Sequence, residues 1–451
     1  MRFITILFIF SIFSCDYEKY EPVADTNPLA ECIDGHARFE LNGNEYEFEC
    51  DGYDLMGYIS LDEMNADSGN DSWGWTDPST GKEYALMGLD NGTGIIDISI
   101  PTAPLYLGKI PTATEPSSWR DLKVFNNHVF IVSEAEGHGM QVFDLKQLRG
   151  LNSKKNFTAD FTYTGYGQAH NIAINTETGY AYTAGSGVAG NGRPGFGIHA
   201  LNIADPISPV LELQQSDFGY THDAQIVNYK GPDSDHFGKE IYIGSNETKV
   251  VFVDVTDKNN PNLISEFEYD SQYTHQSWLT EDHRYALLGD ELDEAVRKID
   301  SDGNPFYDLK EGATSRTIAI DINDLDNPIL HFNYISDNEA IDHNGYVNGS
   351  KFYLANYTSG LRVIDLINIE QKSFTEIGYF DTYSKDAGDH DHNFANTTSN
   401  SASDPGDHIG KKGADSPPFN GAWSVYPFFK SENIIISDIN SGLFIVKKKA
   451  N

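Results

Sequence analysis

Val251-Phe-Val-Asp254 is one of seven copies of a short strand pattern, and its repetition decides the fold. The other copies are Gly94-Ile-Ile-Asp97, Gln141-Val-Phe-Asp144, His199-Ala-Leu-Asn202, Ile318-Ala-Ile-Asp321, Arg362-Val-Ile-Asp365 and Phe444-Ile-Val-Lys447. Most end in an acid or a polar residue. Short β repeats spaced by roughly 45–65 residues point to a propeller. A strand precedes each pattern, as in Tyr84-Ala-Leu-Met-Gly88 or Glu240-Ile-Tyr-Ile-Gly244, and a Gly-containing turn often separates the two. A further strand follows Pro-containing turns, as in Leu263-Ile-Ser-Glu-Phe267. Short strands punctuated by Gly, Pro, Asn and Asp are what an antiparallel blade requires.

The last copy leaves no room for an outer strand after Lys449. Upstream of the first copy, however, Leu55-Met-Gly-Tyr-Ile59 matches the outer-strand pattern of Tyr106-Leu-Gly-Lys-Ile110 and Glu376-Ile-Gly-Tyr-Phe380. The expected fold is therefore all-β: a seven-bladed β-propeller over residues 51–449, closed by an N-terminal strand pairing with the last blade. Closure removes the sheet edges that an open array would expose. Two insertions, at about 290–314 and 384–418, interrupt the spacing. The second is rich in Asp, Ser, Asn and Gly, the composition of a surface loop.

The apolar run from Phe3 to Phe13 is shorter than the ~20 residues of a spanning helix and reads as a signal peptide over residues 1–14. Ile12-Phe13-Ser14-Cys15 has the form of a bacterial lipobox, with Cys15 as the acylated residue; a plain secretory signal is the alternative. Residues 15–50 are then a lipidated tether and N-terminal extension, and the polar start from Asp16 to Asn27 suits a tether. Cys32 and Cys50, the two remaining cysteines of an exported chain, are expected to form a disulfide. The chain-entropy model gives such a loop about 3 kcal/mol.

With 31 basic and 68 acidic residues, the net charge is −37. Nucleic acid is a poor partner for that field, and cations are natural ones.

A His or Trp also recurs ahead of an early strand in each repeat: Trp73, Trp119, His170, His222, His275, His343 and Trp423. Such positions enter the innermost strands, so their side chains are expected to gather at one mouth of the axial channel. Four imidazoles suit Zn, Cu, Fe or Ni, with Asp121, Asp223 and Asp342 as possible orienting acceptors. Alternatively, each ring locks its own blade, or the mouth takes a ligand without metal, helped by Arg120. A second cation site is suggested by Asp300, Asp302, Asn304, Asp308 and Glu311, whose spacing matches the EF-hand calcium loop. Pro305 stands where that loop needs a glycine, so a β-hairpin turning at Asp302-Gly303 is the competing reading. His390, His392 and His408 lie among aspartates in the second insertion and read as a solvated loop. No nucleophile elbow, phosphate-binding glycine loop or zinc-protease helix is present.

Several longer stretches resemble the choice-of-anchor B family. They include Asn70-Asp-Ser-Trp73-Gly-Trp75, Ser118-Trp-Arg-Asp-Leu-Lys123, Gly137-His-Gly-Met-Gln-Val-Phe-Asp144, Leu288-Gly-Asp-Glu-Leu-Asp-Glu294 and Phe419-Asn-Gly-Ala-Trp-Ser-Val-Tyr-Pro427. The seven strand patterns resemble the LVIVD repeats of that family. The resemblance implies an exported bacterial propeller whose members differ in how they are held at the surface, and it implies no activity. The expectation is an outer-membrane lipoprotein acting as a binding or scaffolding module, facing either the cell surface or the periplasm. Its ligand, an extracellular or periplasmic molecule or protein, would sit at the channel mouth. The alternative is a metal-dependent enzyme using the four histidines.

Overall fold

A computed structural model describes residues 27–41, 43–186, 197–299, 305–383 and 418–450. The expected signal segment, Cys15, Asp300, Asp302, Asn304 and residues 384–417, with His390, His392 and His408, lie outside the described residues.

The chain folds as an all-β propeller. Six four-stranded sheets and one seven-stranded sheet succeed one another, with a two-stranded hairpin beside them. The expectation of an all-β propeller is thus met. The odd sheet is a four-stranded unit, Gly345–Asn348 to Thr375–Phe380, with three N-terminal strands added to its outer edge. The added strand Asn44–Asp51 pairs Cys50 with Phe380 and Asp51 with Tyr379. The disulfide between Cys32 and Cys50 staples this added layer.

In every sheet the recurrent pattern occupies the third strand, covered by neighbours on both sides. That burial explains why the pattern is a continuous apolar run instead of an alternating one: Val251, Phe252 and Val253 are all fully buried. The strand Tyr53–Ser60 runs antiparallel to Gly442–Lys448, from Gly442 opposite Ser60 to Lys448 opposite Tyr53. The inner strand Ala422–Tyr426 in turn packs on Gly69–Thr76, the inner strand of the first sheet.

The outer-strand glycines have a common physical cause. Gly57, Gly108 and Gly378 each follow a β-bulge, where one extra residue is accommodated opposite the third strand. At Gly108, with φ of +132°, a Cβ would lie 2.0 Å from the Lys155 carbonyl oxygen. Only glycine lets the neighbouring segment approach so closely.

Candidate functional site

The inner strands run from one end of the axial channel to the other, and their registers define three tiers of side chains. The middle tier holds Asp71, Asp121, Asn171, Asp223, Gln276, Asn344 and Ser424; most of these face equivalent second-strand positions, such as Val132, Ala184, Ser245 and Ser437. The residue just before each one forms the upper tier: Asn70, Arg120, His170, His222, His275, His343 and Trp423. Consecutive residues of a regular strand face opposite ways. Register shifts release that constraint in the first, fifth and last sheets, between Gly69 and Ser72, Thr274 and Gln276, and Ala422 and Ser424. Two residues beyond the middle tier, Trp73, Lys123, Ala173, Gln225, Trp278, Tyr346 and Tyr426 form the lower tier.

The four expected histidines do converge. Successive ring centroids lie 4.0 Å apart for His170 and His222, 4.6 Å for His222 and His275, and 4.2 Å for His275 and His343. The tryptophans do not complete the circle as expected. Trp73 belongs to the lower tier, where it meets Tyr346 and Tyr426 edge-on. Asn70 takes the upper-tier position in its place. Trp119 precedes Arg120 by one residue and still lines the histidine cavity, as does Trp423. The sequence reading was thus displaced by three residues in the first sheet and by one in the second.

Arg120 is held by the structure itself. Its guanidinium donates to the Leu89 carbonyl at 3.0 Å, the Thr112 hydroxyl at 3.0 Å and His138 Nε2 at 2.9 Å. His138 donates from Nδ1 to the Gly139 carbonyl, which leaves Nε2 as the acceptor. Burial and the adjacent guanidinium press the His138 pKa down to about 4, keeping it neutral for that role. Arg120 therefore ties two sheets together while also lining the histidine cavity.

Two carboxylates complete the histidine cluster. Glu291 directs its oxygens to His275 Nε2 and His343 Nε2, each 3.8 Å away, and accepts a hydrogen bond from Tyr357 at 2.7 Å. One ligand atom each from His222, His275 and Glu291 lies within 4.8 Å of the others. Glu134 bonds His170 Nδ1 at 2.6 Å. His343 Nδ1 donates to the Trp423 carbonyl at 2.6 Å, which leaves the Nε2 lone pair free toward Glu291. His222 Nδ1 lies 3.0 Å from the Tyr273 hydroxyl, while His275 Nδ1 is buried without a partner. Burial holds His222 and His275 well below the ordinary imidazole range and brings His343 down to about 3, with the neighbouring histidines adding to the effect. His170 goes the other way: burial would lower it, but Glu134 raises it. Burial pushes Glu291 up to about 7. Three neutral imidazoles beside a partly buried carboxylate form a donor set for a borderline transition metal.

The expected orienting acids do other work. Asp121 accepts from the Lys123 ammonium and from Asn171, and Asp223 accepts from Asn171 at 2.8 Å and Gln276 at 3.4 Å. Lys123 also reaches Asp71 at 3.2 Å, and Gln276 continues the chain to Asn344 at 3.3 Å. The middle tier is thus a hydrogen-bonded belt around one buried ammonium. Burial would raise Asp71, yet Lys123 and hydrogen bonds hold it below the usual range. Asp121 goes well above that range, because burial and the neighbouring Asp71 outweigh the ammonium; burial brings Asp223 to about 7. Asp342 accepts no hydrogen bond. The groups that orient the imidazoles are Glu134, Tyr273 and the Trp423 carbonyl; of these the sequence points only to Trp423, and to its ring.

The cavity at the histidine end measures about 20 Å³, room for an ion or a water. At the other end, Trp73, Trp278, Tyr426 and Phe428 help enclose about 270 Å³. Of the expected calcium-loop residues, Asp300, Asp302 and Asn304 lie outside the described residues; Asp308 lies in a strand opposite Val296 and is bonded to Lys298, and Glu311 is exposed in the following turn. The strands Ala295–Ile299 and Pro305–Leu309 form the hairpin that competed with the calcium reading.

No family model matches the sequence, and no curated protein matches it. Among solved structures, Kuenenia stuttgartiensis hydrazine synthase is similar at 11% identity and a TM-score of 0.48, over 82% of this chain and 93% of that one. The β-propeller domain of Myceliophteria thermophila Cps50 (Swd1) is similar at 9% identity and a TM-score of 0.47, over 81% and 94%. Neither bears on what this chain binds.

Proposed function

We propose that the chain is an exported, lipid-anchored β-propeller of seven blades, closed by the strand Tyr53–Ser60, that binds a transition-metal ion at the histidine end of its channel. The observation that carries the reading is the meeting of His222, His275 and Glu291 within 4.8 Å, with His343 and His170 alongside. The adjoining cavity, lined by His170, His275 and His343, measures about 20 Å³ and suits an ion better than an organic substrate, so binding is favoured over turnover. Anchoring through Cys15 and membership of the choice-of-anchor B group are supported by the lipobox and the stretches described above. The partners in this reading are the membrane, through the lipid, and an extracellular or periplasmic molecule or protein that meets the metal-bearing face. The net charge of −37 favours a cationic partner.

The test is elemental analysis by mass spectrometry of untagged protein prepared without chelators, beside a His222→Asn/His275→Asn variant. The expected result is about one Zn, Cu, Fe or Ni ion per chain in the natural protein and none in the variant. Absence of any transition metal from both, after incubation with each ion, would end the metal reading and leave a binding propeller with another ligand.

A further inference from the structure

A second cluster lies in the turn that leaves the strand Tyr285–Asp290 and at the entry to the inner strand Gly345–Asn348. Asp293, Glu294 and Asp342 bring one carboxylate oxygen each within 4.8 Å of the others. Glu294 and Asp342 are each only 1% exposed. Their hydrogen bonding is incomplete. Both oxygens of Asp342, Oε2 of Glu294 and Oδ1 of Asp293 are buried and accept nothing. The bonds that do exist point elsewhere: Glu294 Oε1 accepts from the Arg316 backbone at 3.0 Å, and Asp293 Oδ2 pairs with the Arg316 guanidinium.

Buried carboxylate oxygens are ordinarily satisfied, and leaving one bare costs about 1–3 kcal/mol or more. The Arg316 guanidinium is already spent on Asp293 and, at 3.7 Å, on Asp290. The Asp233, His236 and Asp326 group provides a control within the same molecule. There His236 pairs with Asp326 at 2.9 Å, and Asp233 accepts from the Leu325 and Asp235 backbones. That group satisfies itself and calls for no ion. The three-acid group converges and remains bare. Gly289 supports the arrangement, because a Cβ there would lie 2.3 Å from Asp342 Oδ2.

We infer that Asp293, Glu294 and Asp342 form a site for a divalent, oxygen-preferring cation of the calcium class, distinct from the histidine end. All-oxygen, all-carboxylate donors select hard cations, and water completes their coordination. The cation would clamp the base of the Ala295–Leu309 hairpin to the residue preceding His343, fixing one wall of the channel.

The test is calorimetric titration of the chelator-treated full chain with Ca²⁺, and in parallel with Mg²⁺ and Mn²⁺. The variants are Glu294→Gln, Asp342→Asn and the His222→Asn/His275→Asn pair. The expected result is Ca²⁺ binding by the natural chain and the histidine variant alike, with affinity lowered roughly tenfold or more by either acid substitution. Glu294→Gln lies in a turn and keeps the test valid should Asp342→Asn fail to fold. No binding of any of the three cations by the natural chain overturns the inference. So does unchanged affinity in Glu294→Gln, which would assign the calcium to another part of the chain.

Discussion

At one end of the channel, His222, His275 and Glu291 meet within 4.8 Å of one another, beside a space of about 20 Å³ lined by His170, His275 and His343. At the other, Trp73, Trp278, Tyr426 and Phe428 help wall about 270 Å³. Most of these side chains come from the inner strands or the residues flanking them, and Glu291 comes from the turn after the strand Tyr285–Asp290. What separates them is the belt of Asp71, Asp121, Asn171, Asp223, Gln276 and Asn344 around Lys123. The belt meets much of its hydrogen-bonding capacity internally, with Asp71 Oδ1 and Asn171 Oδ1 left buried without a partner. The histidine end keeps nitrogen lone pairs and a carboxylate facing one point, and the aromatic end keeps volume with little polarity. The larger cavity is lined mainly by apolar and aromatic side chains, and the smaller one by histidines and belt residues.

The most severe way to break the comparison is to remove the belt's cation. Lys123→Met leaves Asp71 and Asp121 facing each other in a dry interior, and breaking a buried pair in this way costs about 3–5 kcal/mol. Denaturant unfolding should report a loss of that size. If the two ends are independent, variant protein that still folds should retain its metal at the histidine end. A loss below about 1 kcal/mol would show that the belt acids are already protonated, so that Lys123 holds little together. Next in size is the metal itself. At a hundredfold excess over its dissociation constant, a bound ion stabilises the native state by about 2.7 kcal/mol. Thermal unfolding should show that gain in the natural chain and not in the His222→Asn/His275→Asn variant. An equal gain in both would move the ion away from this end.

The aromatic end provides the third contrast. Trp278 is half-buried and meets Tyr346 edge-on at 4.8 Å. As packing, Trp278→Ala should cost about 2 kcal/mol, below the 3–5 of a fully buried ring. A cost near zero, measured by the same unfolding experiment, would mean that the ring is held open for a guest, and the ranking of the two ends would reverse.

How far the sequence revealed this arrangement depends on the tier. The third strands were legible because burial on both faces makes them apolar throughout, as in Val251-Phe-Val-Asp254. The outer glycines were legible because a bulge and a close neighbour exclude every larger residue. The four histidines were legible as a series, but the tryptophans were not equivalent to them. The usable signal was the pair formed by an upper-tier residue and the polar one after it. His222-Asp223, His275-Gln276 and His343-Asn344 align with Asn70-Asp71 and Arg120-Asp121, not with Trp73 or Trp119. Glu291 and Glu134 escaped notice because they lie beyond the second strands of the fifth and second sheets, in turns whose direction no short-range pattern encodes. Lys123 was hidden among ordinary charged residues. Its alternation with Asp121 becomes informative only once the strand is known to face the axis.

Tyr273 allows the smallest and sharpest test of the histidine end. Its hydroxyl sits 3.0 Å from His222 Nδ1, and burial holds its ionisation well above the ordinary tyrosine range, so it remains a neutral partner. A partner on Nδ1 fixes the ring so that Nε2 can face a metal, and loss of such support lowers metal affinity about 10–100-fold. Tyr273→Phe removes that hydrogen bond while leaving the ring packed 5.0 Å from His222. Its cost in stability should therefore be about 1 kcal/mol. A purely structural role for the histidines predicts that small loss and nothing more. A metal-binding role predicts the same small loss together with at least about a tenfold weaker ion, and titration of the apo protein with Zn²⁺ separates the two.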